Sequence, residues 1–535
     1  MIQFLLIILP VISSPGDSVG WTRYDLQRNE QTGWQVWFDG SCVHVDFMRS
    51  HESGHSDRCC AYNFWRDHWF GDADVTPGYS GYVALGVKPS NNAAVCAYHH
   101  RASGDVYRSW VSVDKGQGYY NFTYHKVLPQ ENFEQLLWPR FAIDDQDNFH
   151  MMLHSYDYER IYYTRSTDDG ATWSDKELVY EESQANQYRN LDGGVFADRL
   201  NTPGKIIRYW TEWTGEGVGG HASHAHDVCY QISTDYGNSW GPKVNLTRYH
   251  PSDTMRAFCH VKAIFDQNGD PHIIFPVNYF LNQTAYYKSW IIHWSPNTGF
   301  NIVTGPHEMS KDPGAWRLPC DHAQIALDRD NGWLYSVYVL NRDTDTSQGG
   351  WPNGELMAKY STDNGATWIS RAQGDTGVNL TRTPTPGAPP GECCDDDYPS
   401  MHPYVETING RKCLIISYLE DKDAGAVPHQ EGTETDNPYR VYFCPVDSII
   451  GVGIEREGKV EICKIYPNPS RGVINLDLPE GVTALTLFDA AGRRLKKLEV
   501  APRIKLDLPS GVYFLMVRGE CNVRERLVII TQGER

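Results

Sequence analysis

The chain has 535 residues and carries 48 basic against 67 acidic side chains, a net charge of −19. That balance excludes a nucleic-acid binder, whose phosphate-tracking surface needs excess Lys and Arg, and a charged fraction of 21% excludes a disordered polyelectrolyte. The 17 Trp, 32 Tyr and 18 Phe beside 47 Gly and 30 Pro predict short aromatic strands joined by tight turns, so the expected class is all-β, with more than one folding unit at this length.

Residues 1–18 begin with an apolar run, Met1 to Ile12, too short to span a bilayer, followed by small and polar residues. This reads as a secretory signal peptide. No later segment is long and apolar enough for a membrane span. A strand around Trp21 to Leu26 is expected to complete the last sheet of the fold. Trp34 to Asp39, Val43 to Arg49 and Cys59 to Trp65 then read as the first strands of a repeating unit. The unit is clearest at Pro139 to Ile143, Phe149 to His154, Tyr158 to Thr164 and Lys176 to Tyr180. Four antiparallel strands of this kind make one propeller blade.

Three octapeptides, starting at 166, 233 and 361, share one pattern. They place Ser166, Asp168, Gly170 and Trp173 in register with Ser233, Asp235, Gly237 and Trp240, and with Ser361, Asp363, Gly365 and Trp368. The second interval is close to twice the first, and a decayed copy, Ser295 to Phe300, lies between them. Another, Ser112 to Gly116, lies upstream. The pattern suits a hairpin turn in which Asp accepts backbone N–H groups, Gly takes a positive φ and Trp packs between sheets. It resembles the Asp-box of the sialidase-like BNR β-propellers. That resemblance implies a propeller over residues 19–446, with seven blades, or six, and a structural role for the box residues. The last unit is read as His402 to Thr407, Lys412 to Leu419 and Tyr439 to Cys444.

Residues 447–463 read as a linker. From 464 to 535 the balance inverts to 12 basic against 8 acidic residues, and the segment runs through Tyr466-Pro467-Asn468-Pro469, Leu487-Phe488-Asp489-Ala490-Ala491-Gly492-Arg493 and Ser510-Gly511-Val512-Tyr513-Phe514-Leu515. Alternating strands with Gly and Pro turns over this length predict a small β-sandwich. The motifs resemble the type A sorting domain of the bacterial type IX secretion system. The resemblance implies the secretion machinery as a partner and a secreted or outer-membrane surface-attached protein.

Strand order in a propeller puts the octapeptide turns on one rim, and the second-to-third and fourth-to-first connections on the other. Eight of the 20 histidines fall in those second-to-third connections. The residues expected to converge at that mouth are Arg140, His154, Asp192, Arg256, Asp321 and His322 as catalytic candidates. His99, His100, Tyr156, Arg189, His260, Arg317 and His402 are the substrate-binding candidates. Arg could grip a carboxylate, acidic residues could hydrolyse a glycoside, and His with Tyr could move a proton α to a uronate carboxylate. Arg–Asp pairs that merely satisfy a buried channel would look the same in sequence. No cofactor is required. The His221 to His226 run could hold a metal, and Asp395 to Asp397 could hold Ca²⁺.

The expected partner is an extracellular glycan, cut by hydrolysis or by elimination at a uronate. The alternative is a non-catalytic surface propeller that binds carbohydrate or protein through aromatic loops such as those of Trp213, Tyr279 and Trp351. The sialidase motif Arg-Ile-Pro is absent. The 13 cysteines include the vicinal pairs Cys59-Cys60 and Cys393-Cys394, which are expected to anchor neighbouring loops by bridging to other cysteines.

Overall fold

The computed structural model describes residues 13–28, 33–101, 106–128, 134–156, 158–182, 192–371 and 376–451. Beyond these it describes 464–466, 473–477, 482–489, 494–506, 511–519 and 523–530. The structure divides into two compact units, Met1–Val452 and Gly453–Arg535.

The first unit is an all-β propeller arrangement of antiparallel sheets. In chain order, the first three sheets begin with the strands Val36–Phe38, Ser80–Val87 and Leu136–Ile143, and each adds its next three strands outward. The sheet built on Cys320–Asp328 does the same. The ring-closing sheet is built on Asp395–Met401, followed by Arg411–Asp421 and Asn437–Pro445, and its outermost strand is the N-terminal Asp17–Thr22. Every residue of Ser80–Val87, Leu136–Ile143, Cys320–Asp328 and Asp395–Met401 is buried, whereas the outer strands Phe122–Lys126 and Glu177–Glu181 contain no buried residue. First strands therefore face a common interior and fourth strands face water.

These make five separate sheets, not seven. Between the third and the Cys320 sheet lies one nine-stranded sheet, in which the strands from Gly193–Ala197 to His226–Ser233 continue into those from Met255–Ala257 to Gly299–Glu308. A single pair, His226 with Ala257, joins the halves. Sequence counting treats them as separate units because each has its own turn, and turns say nothing about a pairing formed at the opposite rim.

Two other expectations are corrected. The last unit's inner strand is Asp395–Met401, not His402 to Thr407. The three consecutive aspartates lie in a buried strand, where Asp395 and Asp397 meet Arg317 and His322, and Asp396, on the other face, accepts from Thr383 Oγ1 at 2.7 Å. The closing strand is Asp17–Thr22, paired Asp17 to Val441 and Trp21 to Pro438, so its first two residues overlap the end of the expected leader. The eleven described cysteines are buried and free. The vicinal pairs do not bridge, since Cys59 and Cys60 lie within a strand and Cys393 Sγ lies against the carbonyls of Ala388 and Pro389.

The octapeptide turns have the expected chemistry. Asp168 Oδ1 accepts from Thr172 N at 2.8 Å and from Ser166 Oγ at 2.8 Å, while Gly170 N donates to Ser166 Oγ at 2.9 Å. Asp235 and Asp363 repeat these contacts with Ser239 and Thr367. Gly170, Gly237 and Gly365 have φ of 81°, 73° and 83°, which an L residue adopts only under strain. Trp240 packs edge-on against Tyr163 of the preceding sheet at 4.9 Å, and Trp368 against His293 at 5.3 Å. The upstream copy survives as Asp114, whose carboxylate accepts the amides of Lys115, Tyr119, Tyr120 and Asn121.

The second unit contains two antiparallel sheets, one of Lys464–Tyr466, Val473–Asp477 and Arg503–Lys505, the other of Arg494–Leu498, Val482–Asp489, Gly511–Gly519 and Val523–Ile530. Leu485 and Leu487, on one face of their strand, are buried, as are Ile504 and Leu506.

Candidate functional site

Strand register fixes the two rims. Leu136 pairs with Ser155 and Ser155 with Arg160 at one end of the third sheet; Ile143 pairs with Phe149 and Phe149 with Ser166 at the other. The octapeptide turn follows Ser166, so it lies opposite the rim that carries the starts of the first strands.

At that upper rim the inner strands break register in the same place: between Gly81 and Ala84, Leu137 and Arg140, Asp321 and Gln324, and Asp397 and Ser400. Each break holds a bulky residue at positive φ, namely Tyr82 (54°), Trp138 (45°), His322 (51°) and Tyr398 (55°), and His260 (75°) sits between two short strands of the nine-stranded sheet. Such backbone costs about 1–3 kcal/mol per residue, and bulges re-aim side chains beside active sites. Five repetitions aim rings at one mouth.

Two polar clusters result. One surrounds Arg58, at the end of the histidine-bearing loop before Cys59–Trp65. Its guanidinium is buried over the rings of Tyr79, Tyr24 and Tyr82, at 4.6, 4.9 and 5.7 Å. Nε donates to Ser80 O at 3.0 Å, and Nη2 lies 3.5 Å from His99 Nε2. Among the described residues no carboxylate pairs with Arg58. Burial, followed by the charges of Arg58 and His100, holds His99 far below the usual imidazole range, so it is neutral at pH 7. Burial raises the Tyr79 phenol, which stays protonated. Tyr107 meets His99 edge-on at 5.1 Å, and Trp138 lies 5.3 Å from His154 and 6.0 Å from half-exposed Tyr156.

The other cluster is paired internally. Arg317 Nη2 lies 2.7 Å from both Asp395 and Asp397, and His322 Nδ1 lies 3.0 Å from Asp321 and 3.3 Å from Asp397. Burial works against the His322 cation, but Asp321 and Asp397 push it up to about 9. His260 stacks on His322 at 4.0 Å, and Tyr398 meets His322 edge-on at 5.3 Å. Asp192 accepts the amides of His260 and Val261 at 2.8 Å each and lies 3.6 Å from Arg140. Burial raises the Asp192 carboxyl to about 6, against the pull of Arg140. His260, Asp321 and His322 bring ligand atoms within 4.8 Å of one another, a spacing that one metal ion could bridge.

The structure thus brings together Arg140, Asp192, His260, Arg317, Asp321 and His322, and separately His99, His154 and Tyr156. Other candidates fall away. Arg256 is buried against Glu216 at 2.6 Å and donates to the carbonyls of His250, Asp253 and Met255, so its fork is used up. His100 is held by Ser80 Oγ and Tyr79 O at 3.0 Å each. His402 lies just past Met401, at the lower rim, 3.2 Å from Phe38 N and in a cleft with Trp37, Arg199 and Tyr404. Its strand runs from Asp395 at the top downward, which the misplaced inner strand concealed. Arg189 lies outside the described residues. The His221 to His226 run does not converge: His221 accepts from Ala285 N, His224 stacks on Phe258 at 4.6 Å, and His226 opens a strand. His221, His224, Phe258, Tyr286, Tyr287 and Trp316 instead help to line an upper cleft of about 340 Å³ that reaches Arg317.

Arg58, Tyr79, Tyr82, Tyr107 and Tyr398 escaped the sequence reading. Arg58 belongs to no repeat. Tyr82, Trp138, His260, His322 and Tyr398, however, hold corresponding places early in successive units, and aligning first strands would have found them.

No curated protein matches the chain. Among solved structures it is similar to an ulvan lyase described as a new polysaccharide lyase family, with 12% identity over 81% of this chain and 96% of that chain, at a TM-score of 0.50. The same lyase bound to -[GlcA(1-4)Rha3S]- gives 12% identity, 80% and 96% coverage and 0.50. The polysaccharide lyase Uly1 gives 11%, 82% and 94%, and 0.46. At such identity the likeness is one of fold. Residues 464–531 match the secretion system C-terminal sorting domain family, and this segment marks the protein for secretion and attachment at the bacterial outer-membrane surface.

Proposed function

We propose that the protein is a surface-exported polysaccharide lyase that cleaves a uronate-containing glycan by β-elimination at the Arg58 pocket. The observation that carries this reading is a buried guanidinium with no carboxylate of its own among the described residues, walled by tyrosines and a neutral histidine. A buried cation left in this state favours an anionic ligand, and Arg matches a carboxylate bidentately. Neutralising the uronate carboxylate acidifies the C5 proton. His99, unprotonated beside Arg58, accepts that proton; the C4–O bond breaks as the C4–C5 double bond forms; and a phenol O–H, of Tyr79 or Tyr107, supplies the proton taken up by the leaving oxygen. Both tyrosines are only half-buried, as a donor to a long polymer must be.

Hydrolysis draws less support, because Asp395, Asp397 and Asp321 are bound to Arg317 and His322 rather than offered as a free acid and base. Ulvan is the first substrate to try, since the similar lyase binds a glucuronate-containing unit. We also take the nine-stranded sheet as two blades, which makes the propeller seven-bladed and of the Asp-box type, the second unit as a sandwich, and residues 1–18 as the leader. The test is ultraviolet absorbance of unsaturated uronates on incubation with ulvan and other uronate polymers. Arg58→Ala should abolish the signal. Absence of product from every polymer with the intact protein, together with retention on a glycan array, would instead establish the binding propeller.

A further inference from the structure

The cleft of about 340 Å³ at the upper rim has no part in the chemistry proposed at Arg58. His221 and His224 come from the connection before His226–Ser233, Tyr286 and Tyr287 from the start of Thr284–Ser295, and Trp316 from the segment that enters Cys320–Asp328. All lie at upper-rim connections, as Arg58 does. Trp316 also packs on the apolar cluster that contains Tyr24, Tyr82 and Tyr398. Tyr24 and Tyr82 cover the Arg58 guanidinium, so one aromatic cluster backs both places.

The rings of this cleft are held in place by polar contacts at their edges. Tyr287 donates its hydroxyl to Asp312 at 2.8 Å, and Trp316 Nε1 donates to His429 Nε2 at 3.3 Å. Asp312 also accepts Gly314 N at 3.0 Å, and Glu431 accepts Ala315 N at 2.9 Å, which fixes the loop that carries Trp316. Trp316 takes a φ of 64°, a strain of about 1–3 kcal/mol of the kind that collects where a side chain is aimed at a ligand. His224 stacks on Phe258 at 4.6 Å, and burial, ahead of the charges of His226 and His221, takes it down to about 3, so this wall is neutral at pH 7. Arg317 is the one arginine or lysine in the lining, and Asp395 and Asp397 already hold it. Tyr286 and Tyr287 nevertheless remain 46% and 37% exposed. The cleft therefore offers fixed aromatic faces that folding has left open to solvent.

We propose that this cleft is a distal glycan subsite, which takes a sugar ring beyond the one at Arg58 by packing its C–H face on Tyr286, Tyr287 and Trp316. The proposal rests on the lyase reading for the kind of ligand, and adds what holds the part of the polymer that does not react. A pyranose has an apolar C–H face and a polar rim, which match an aromatic floor edged by hydroxyls and carboxylates, and the cleft has the size of a small-ligand pocket. Recognition here is by ring faces, so it survives salt, whereas the grip of Arg58 on a carboxylate weakens with it. Contacts to a sugar remote from the scissile bond are the same before and during the reaction, so they set KM and leave kcat alone.

The test uses the full chain with Tyr286→Ala, Tyr286→Phe and Trp316→Gly, the last because glycine takes the positive φ without strain. Affinity electrophoresis through gels containing ulvan, alginate or polygalacturonate reads binding without turnover. The parent should be retarded by at least one polymer in about 1 M sodium chloride, Tyr286→Phe should match it, and Tyr286→Ala and Trp316→Gly should run free. On a polymer that is cleaved, those two variants should raise KM about 5-fold or more with kcat within about 2-fold, and on the shortest oligosaccharide that is cleaved they should match the parent. If one variant does not fold, the other decides. Retardation that depends on Tyr286 without cleavage of any polymer would sink the lyase reading and leave the subsite standing. A parent that runs free in every gel, retardation unchanged in the variants, or a KM that rises equally on the short substrate would overturn the subsite.

Discussion

Removing Arg58 should have opposite consequences for turnover and for stability, and that contrast separates a functional cation from a structural one. Arg58→Met keeps the aliphatic bulk and deletes the charge. What is lost to the fold is one hydrogen bond to Ser80 O and a desolvated cation over three tyrosine rings, together about 2–3 kcal/mol. What is gained is relief from burying an ion without a counter-ion, which costs several kcal/mol. The terms nearly cancel, so the urea midpoint should move by no more than about 1 kcal/mol equivalent, while kcat/KM on a uronate polymer falls at least about 100-fold. Arg256→Met is the control. There Glu216 loses its partner inside the fold, and breaking a buried pair costs about 3–5 kcal/mol. Urea unfolding followed by tryptophan fluorescence, beside initial rates of unsaturated product, reads both quantities. The reasoning fails if Arg58→Met destabilises as much as Arg256→Met, or if it destabilises little and keeps its rate.

Because burial and Arg58 keep His99 neutral, the acid limb of the pH–rate profile should fall below pH 6.5, and His99→Gln should remove the activity without shifting the thermal midpoint by more than about 1–2 °C. The Asp235 carboxylate, held down at about 2 by Ser239 and Ser233, contributes stability that is complete above the unfolded aspartate range near pH 4 and is lost as pH falls through about 2. Asp235→Asn should therefore cost about 1 kcal/mol at neutral pH, discounted for exposure, with the gap to the parent closing by about pH 2 in urea titrations. Deleting residues 464–535 should leave turnover by the purified first unit unchanged, whereas in the native host the truncated protein should be retained in the periplasm rather than appear at the surface, as fractionation would show.

How far the sequence reveals this molecule depends on the range of the forces involved. The turns were legible because they are local: Ser166, Asp168, Gly170 and Thr172 satisfy one another within seven residues. The sorting segment was legible for a similar reason, as an ordered set of turn and strand motifs. The pairing of His226 with Ala257 and the identity of the last inner strand were not, because both are decided by distant partners. Asp395 to Asp397 can form a buried strand because distant groups reach them, Arg317 and His322 on Asp395 and Asp397, and Thr383 on Asp396. The arginines nominated from sequence show the same limit. Arg140, Arg256 and Arg317 look available in one dimension, yet each has an acid partner in three. Arg58, which has no acid partner among the described residues, carries no motif and is distinguished only by what surrounds it.

The closing strand orders events in time. Asp17 reaches its partner only once Val441 has been made, so through synthesis and export the first strand waits with its edge open while more than four hundred residues follow. The address that sends the protein outward lies later still. A chain cut short before the last sheet would lack both its latch and its destination label, so the same lesion that leaves a sticky edge also keeps that edge from reaching the cell surface.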